Sequence, residues 1–464
     1  MKKFLFMLLL VAAVAGAFTF ALAEETQAEE KKFVIHGEIR QRADFVDNFD
    51  SDSDTSDSSL FFPYRARIAV EGHFSKNVIG YAEFQAFGVW GDAPPEQGGL
   101  NATWLGSLFG GISNPNVDQN TSNNILYNIN DTQLYQAWIG LNEIGGSKFS
   151  LKVGRQEIVK GSEMLLGDLD FYSGIAHDGI VGSFNYDSFG LDLWYTRPLQ
   201  GGGLLPGFIP WPTTIAPDHT STNFWGGWAD FKKIPKNIGG SVYLMNYEVG
   251  QPWPYTSGYA FYTLGTRWNK DAEAGKNGFA WNAELALQSG EFYYTAPGDG
   301  DISAMGFEGM FGYNLNVGGN DHLFQVKYVM ASGDKDSSDP DWDPAKSEAF
   351  MPMFQDYHFR YGLSDVFSFN NLTAMSLGWK MSAKDHCFGV DYWMFETTED
   401  VYLATDTSTD LGSEVDAYWK YQYNPNTQIM AGLGYLMPGD VVEYWNSGHS
   451  DAGLRLVGNL RLRF

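Results

Sequence analysis

GLRLVGNLRLRF, which runs from Gly453 to Phe464, is the stretch that decides the fold of this chain. Apolar side chains occupy one parity of the segment, and polar side chains occupy the other. The apolar set is Leu454, Leu456, Leu460, Leu462 and Phe464, and the polar set is Arg455, Asn459, Arg461 and Arg463. A period of two residues is that of a β-strand with one apolar and one wet face, because a helix cannot separate these two sets.

An aromatic residue at the C-terminus and arginines on the second face are typical of the closing strand of a bacterial outer-membrane β-barrel. In such a barrel the apolar set faces lipid and the polar set lines a wet lumen. A half-buried strand of a soluble antiparallel sheet alternates in the same way. This segment alone therefore leaves both interpretations open.

The N-terminus predicts export. A basic start at residues 1–3, an apolar run at 4–20 and Ala-Leu-Ala at 21–23 are typical of a cleavable secretory signal. We therefore expect residues 1–23 to be a signal peptide, 24–32 a short acidic segment and 33–464 a single barrel.

Composition excludes some classes of protein. The formal charge of −26 argues against nucleic acid as a partner, because phosphate binding needs a basic surface. Cys387 is the only cysteine, so no intramolecular disulfide can form. Past the signal, no uninterrupted apolar stretch is long enough for a transmembrane helix.

Eighteen segments of alternating hydrophobicity are separated by clusters of Gly, Asn, Asp and Pro. Short turns and longer, irregular connections follow each other along the chain, which is the layout of outer-membrane barrels and not of a soluble sandwich. The predicted fold is an all-β, transmembrane, antiparallel up-and-down β-barrel of about 18 strands in the bacterial outer membrane. The segments lie near 33–45, 61–74, 78–90, 132–142, 148–157, 176–186, 189–197, 223–232, 237–249, 259–269, 278–290, 303–315, 320–331, 372–383, 386–396, 412–423, 427–437 and 451–464.

Strand parity predicts which charged side chains face the lumen. The first, second and last strands become neighbours when the barrel closes, so their arginines should form a basic ladder on one wall. Two lysines can join the ladder at middle height, and two glutamates face it from the opposite wall, which gives a transverse field. The predicted residues are Arg40, Arg42, Arg65, Arg67 and Arg455, with Lys152 and Lys327, opposite Glu284 and Glu308. The alternative is that each charge is an ordinary lumen residue paired with its neighbours.

Three stretches of the chain resemble the alginate-export family of outer-membrane porins. The first is Gly154-Arg155-Gln156-Glu157 at the end of one strand, followed by Asp178-Gly179 at the start of the next. The others are the stretch from Phe350 to Gly362, and Ser413-Glu414-Val415-Asp416. The resemblance implies an eighteen-stranded monomeric channel narrowed by arginines and some carboxylates. It also implies that Arg155 lines the pore, although its parity is that of the outward residue Val153.

Acidic loops are a weak indication of calcium. The candidates are Asp334, Asp336, Asp339 and Asp341, but they lack the Gly and Glu positions of an EF-hand loop, which favours a solvated acidic loop. A second loop, residues 91–131, carries apolar side chains that predict either a constriction inside the lumen or a lid on the outer rim.

The predicted function is a porin for passive diffusion or export of small polar or anionic solutes, with anionic saccharides as one class. Expected partners are outer-membrane lipid, lipopolysaccharide and, through the C-terminal strand, the barrel-assembly machinery. No cofactor and no catalytic residue are expected, since no histidine lies in a Gly-x-Ser-x-Gly or His-Glu-x-x-His motif. An outer-membrane enzyme and a non-conducting surface protein are the alternatives.

Overall fold

A computed structural model gives the architecture of most of the chain. It describes residues 32–48, 50–54, 58–91, 131–198, 221–250, 258–293, 299–335, 339–341, 343–403 and 406–464. The predicted signal peptide and most of the loop at 91–131 lie outside these residues.

All eighteen predicted segments form strands, and the structure adds one two-residue strand, β14. The first nine are β1 (Lys32–Asp47), β2 (Ser59–Ser75), β3 (Val78–Gly91), β4 (Asp131–Leu141), β5 (Phe149–Gln156), β6 (His177–Asn185), β7 (Phe189–Pro198), β8 (Ser221–Ile234) and β9 (Ile238–Gly250). The rest are β10 (Gly258–Lys270), β11 (Gly278–Tyr293), β12 (Gly300–Val317), β13 (Asn320–Ala331), β14 (Lys346–Ser347), β15 (Leu372–Ala383), β16 (His386–Leu403), β17 (Asp406–Asn424), β18 (Thr427–Pro438) and β19 (Gly453–Arg463).

The sheet closes on itself. Each long strand pairs antiparallel with its neighbours, and β1 pairs with both β2 and β19, so the barrel has no open edge there. Phe464 completes the seam, because its backbone exchanges hydrogen bonds of 2.8 and 3.0 Å with Gly37. Its ring covers Gly37 so closely that a Cβ on this glycine would lie 2.3 Å from the ring, which explains the absence of a side chain.

Little of the described chain is helical. Two 3-10 turns, Ile144–Gly146 and Pro235–Asn237, connect strands, and one short helix, α1 (Asp440–Trp445), follows β18. No described helix is both long and apolar enough to cross a membrane.

The two faces of the sheet differ as the alternation predicts. Many large apolar side chains on the outer face are more than a third exposed, and Ile68, Leu264 and Phe311 reach 53%, 57% and 57%. The inner face carries buried charged side chains instead, including Arg40 and Arg65 at 2% and 0% exposure. The buried core therefore lies inside the barrel.

Two connections fold inward and form much of this core. We name residues 157–176 the first inner loop and residues 348–371 the second inner loop. Both carry runs of fully buried apolar side chains, among them Met164, Leu166, Phe350 and Phe354. The lumen is therefore narrowed by loops that follow β5 and β14.

The lipid-facing assignment predicts the effect of a charge at the middle of β10. Leu264→Arg should destabilise the folded barrel by about 2–4 kcal/mol, the cost of an arginine near the bilayer midplane. Denaturant unfolding in lipid vesicles measures this effect. Ser183→Arg is the control because the side chain of Ser183 has inward parity and lies opposite Asp192. Equal destabilisation by both variants would contradict the assignment.

Candidate functional site in the barrel lumen

The predicted arginines of β1 and β2 meet on one wall. Arg40 and Arg65 are directly paired across the strands, and Arg40 is also paired with Arg461 of β19. The guanidinium groups of Arg40 and Arg65 both donate to the backbone carbonyls of Asp170 and Tyr172 in the first inner loop. These arginines thus hold loop backbone, a role that parity alone does not reveal.

Carboxylates neutralise the positive charge of this wall. Arg65 Nη2 lies 2.5 Å from Glu38 Oε1 and 2.5 Å from Asp170 Oδ1, while Arg461 Nη1 lies 3.2 Å from Asp170 Oδ2. Burial by itself would raise the pKa of Asp170, but the charges of Arg65 and Arg40 hold that pKa well below its usual range. Asp170 is therefore an ionised anchor of the first inner loop.

Arg67 joins the same wall. Its Nε donates to Gln85 at 2.6 Å, and its guanidinium lies 4.0 Å from the ring centroid of Tyr135. Glu157, at the start of the first inner loop, lies 3.6 Å from Arg67 and accepts a 2.6 Å hydrogen bond from the Tyr135 hydroxyl.

Arg42 and Arg455 extend the arginine wall towards the rim with the longer loops. Arg42 donates to the carbonyl of Phe171 at 2.7 Å and pairs with Asp44. Arg455 reaches the second inner loop, where it donates to Asp365 Oδ2 at 2.9 Å. The arginine wall therefore contacts both inner loops.

Asp365 is further held by two other groups. His358 Nδ1 lies 2.8 Å from Asp365 Oδ2, and the hydroxyl of Tyr172 donates to the same oxygen at 2.5 Å. Burial lowers the pKa of His358 to about 4. Burial would raise the pKa of Asp365, but His358 and Arg455 bring it to about 2. This contact joins the two inner loops through a single carboxylate.

The opposite wall carries the two predicted glutamates. Glu284 of β11 is paired directly with Glu308 of β12. Arg360 Nη1, in the second inner loop, donates to the two carboxylate oxygens of Glu308 at 3.0 and 2.8 Å. The hydroxyl of Tyr361, in the same loop, donates to Glu308 as well. Ser162 of the first inner loop donates to Glu284 Oε2 at 2.5 Å. The acidic wall thus also anchors both loops.

The inner loops pair with each other at the centre of the lumen. Backbone hydrogen bonds of 2.6 and 2.9 Å join Phe354 to Gly167 and Leu165. Beside them, the carboxylates of Glu163, Asp168 and Asp356 have oxygens within 4.8 Å of one another. Burial and the neighbouring acids raise the pKa of Glu163 to about 7, and burial raises the pKa of Asp356 to about 6.

Several inward lysines form no ion pair within the described part of the chain. Lys152 lies over the ring of Trp138, Lys327 over Trp393, and Lys420 over Phe359 and Tyr418. Lys380 of β15 and Arg461 of β19 are both close enough to act electrostatically on Lys420. Lys380, Lys420 and Arg461 lie on the wall formed by β15 to β19, towards the rim with the short turns, whereas Lys152 lies on β5 and Lys327 at middle height on β13.

The expectation that Arg155 lines the pore is corrected by the register. Arg155 is paired with Asp178 and shares its parity with Val153, which is 40% exposed on the outer face. A bidentate contact of 2.8 and 3.0 Å joins the Arg155 guanidinium to Asp178. No bulge changes the direction of the side chains in this strand, so Arg155 lies on the outer surface. Strand parity therefore predicts the direction of Arg155 correctly, and the family resemblance does not.

The acidic loop after β13 binds its own backbone. Asp334 accepts hydrogen bonds from the backbone N–H groups of Glu348 and Ala349 and from Ser347. Asp339 accepts one from the backbone of Asp341. Asp336 lies outside the described residues, so calcium binding by this loop stays a prediction. Residues 92–130 also lie outside the described residues, so the constriction or lid predicted for that loop stays a prediction as well.

A closed barrel with an apolar outside, a charged inside and inward loops defines a transmembrane β-barrel of the porin type. The chain belongs to the alginate export family, whose model matches residues 112–452. Membership and fold together make this protein an outer-membrane channel of the bacterial cell envelope.

Solved porin structures share the fold. OccAB2 of Acinetobacter baumannii has a TM-score of 0.56 at 12% identity, covering 93% of this chain and 98% of the other. OccK11 (OpdR) of Pseudomonas aeruginosa has a TM-score of 0.53 at 12% identity, with 95% and 100% covered. A BenF-like porin from Pseudomonas fluorescens Pf-5 has a TM-score of 0.54 at 12% identity, with 93% and 99% covered. No curated protein sequence matches the chain significantly.

The arginine wall predicts a difference between inner and outer arginines. Arg65→Ala removes the guanidinium between Glu38 and Asp170, and should destabilise the barrel by about 3–5 kcal/mol because both carboxylates lose their nearest cation in a buried site. Arg155→Ala breaks a partly exposed pair and should cost about 1 kcal/mol or less. Denaturant unfolding of both variants, with protease cleavage within the first inner loop as a second readout, tests this. A smaller loss for Arg65→Ala than for Arg155→Ala would contradict it.

Proposed function

We propose that this channel passes small polar and anionic solutes by diffusion, and that anionic saccharides are the class it fits best. The observation that carries the proposal is that the arginines and the lysines of the lumen differ in whether they form ion pairs. The arginines are taken up by carboxylates and loop carbonyls, whereas Lys327, Lys380 and Lys420 form no ion pair within the described residues. A passing anion can therefore bind these lysines without displacing a structural contact.

The position of the lysines supports this role. Lys380 and Lys420 lie near the ends of β15 and β17 that meet the short turns, and Arg461 on β19 is close enough to act electrostatically on Lys420. Short turns form the periplasmic rim of outer-membrane barrels. Cations at one mouth of a pore raise the local concentration of anions there.

Aromatic rings beside the lysines support saccharides as the solute class. Lys420 lies 5.7 and 5.6 Å from the ring centroids of Phe359 and Tyr418, and these two rings pack edge to face at 4.7 Å. Both rings are partly exposed. An apolar ring face next to an ammonium group suits a sugar ring that carries a carboxylate. The aromatic face can pack on the sugar ring, and the ammonium group can bind the carboxylate.

The arginine ladder keeps a second role in the proposal. Its residues face the glutamates of β11 and β12 across the lumen, so the field between the two walls can orient a polar solute. Because both walls are occupied by loop contacts, we expect the ladder to act mainly by fixing the shape of the passage.

The lysine assignment predicts a change in ion selectivity. The double variant Lys380→Gln, Lys420→Gln should lower the anion-to-cation permeability ratio about fivefold, since contact between unit charges in water is worth about 1 kcal/mol. Reversal potentials across planar bilayers in a salt gradient measure the ratio. Lys276→Gln is the control because Lys276 is exposed in a turn and pairs with Glu273. An unchanged ratio in the double variant would contradict the role of the lysines.

The acidic cluster between the inner loops predicts a pH dependence. The pKa values of about 7 for Glu163 and about 6 for Asp356 lie above those of free carboxyls, so the neutral forms favour the packed loops. This contribution is lost as pH rises through that range, and negative charge appears in the lumen. Anion preference should therefore fall as pH rises from about 5 to about 8. Glu163→Gln should reduce the fall, whereas Asp341→Asn, a change in an exposed loop, should not.

A further inference from the structure

Two buried carboxylates on β17 form no ion pair within the part of the chain that the structure describes. Glu414 and Asp416 are both fully buried, and as residues two apart on one strand they point into the lumen together. Asp391 of β16 lies directly opposite Asp416 and is also buried. No described arginine, lysine or histidine forms an ion pair with Glu414 or Asp416.

The two carboxylates hold the same point of the second inner loop. The backbone N–H of Leu363 lies 2.7 Å from Glu414 Oε1 and 3.1 Å from Asp416 Oδ1, and the N–H of Ser364 lies 2.8 Å from Glu414 Oε1. The two carboxyl groups are also close enough to hydrogen-bond to each other. The other two oxygens, Glu414 Oε2 and Asp416 Oδ2, are buried and have no hydrogen-bond partner within the described chain.

Glycine allows this close approach. Gly362 has φ +89, and a Cβ there would lie 2.6 Å from Glu414 Oε2. The turn therefore fits tightly over the carboxyl group of Glu414.

We propose that Glu414 and Asp416 share one proton, and that loss of this proton at alkaline pH releases the second inner loop and opens the channel further. A carboxyl that donates to a carboxylate satisfies both orphaned oxygens at once. Two like charges in contact in a buried site cannot both be ionised without a large cost. When the shared proton leaves, repulsion and the entry of water both favour movement of the turn at Leu363 away from β17.

Other charged groups around the pair set how sharply the turn responds. Asp365 carries negative charge next to the turn, but it is paired with Arg455 and lies beside His358. Arg455 also donates to the carbonyls of Leu363 and Ser364 at 3.3 and 3.0 Å, which opposes release.

Further charged and titratable groups that act on the pair or on Arg455 lie on β1, β16 and β17. Asp44 of β1 is shared between Arg42 and Arg455, Asp391 faces Asp416 from β16, and Tyr418 follows Asp416 on β17. Of these groups, Asp391 has no described cation and adds to the repulsion once the pair is ionised.

This inference rests on the proposed channel function, and conductance tests it directly. We expect the single-channel conductance of the full-length protein in planar bilayers to rise in a step as pH is raised from about 7 to about 10. Asp416→Asn should lose the step, because the amide can still donate to Glu414 but carries no titrating proton. Glu414→Gln should also lose it. Asp406→Asn, an exposed change on the same strand, should keep it.

Infrared spectroscopy provides the second readout. The wild-type protein should show the C=O band of a protonated carboxylic acid at neutral pH, and this band should vanish together with the low-conductance state and be smaller in Asp416→Asn. A pH step that persists in Asp416→Asn, or an unchanged band, would overturn the inference. A wild-type channel that conducts without any step would overturn the gate but leave the channel function intact. Absence of conductance would instead reject the proposed function, while the band would still report whether the proton is shared.

Discussion

The structure depends on one constraint: within a bilayer, every backbone N–H and C=O group must find its partner inside the protein. Pairing of β1 with β19 meets this requirement at the seam, and the hydrogen bonds between Gly37 and Phe464 complete it at the chain end. Once the sheet is closed, alternate side chains are divided between lipid and lumen. Charged residues can then be numerous inside a membrane protein, because the lumen supplies water or partners.

Closure also explains why the arginines lie where they do. β19 is distant in sequence from β1 and β2 but pairs with β1 in the barrel, so Arg40, Arg65 and Arg461 form one row. The guanidinium groups of Arg40 and Arg65 donate to carbonyls of the first inner loop, which has no regular secondary structure to satisfy them, and Arg461 donates to the carboxylate of Asp170 in the same loop. Arginines in this lumen therefore mainly fix the loops, and the proposed function assigns the binding of solutes to the lysines.

Strand existence and the direction of most side chains could be predicted from the sequence, because a period of two is local and repeated in every strand. The inward folding of the two inner loops could not be predicted, because no local pattern in residues 157–176 or 348–371 indicates which strands they pack against. Arg360 gained its role only through Glu308, a partner on a strand distant in sequence, and His358 gained its role through Asp365 once the second inner loop had folded. The error at Arg155 came from preferring a family resemblance to the parity that Val153 indicated.

The central claim is that alternate residues separate hydrocarbon from a conducting, water-filled interior. Cys387, the only cysteine, tests it without any mutation, because it lies on β16 with inward parity, paired with Lys420 across to β17. A charged, membrane-impermeant thiol reagent applied to the protein in planar bilayers should react with Cys387 and change the conductance. Reaction of Cys387 only with apolar, membrane-permeant reagents, and no effect on conductance, would contradict the account.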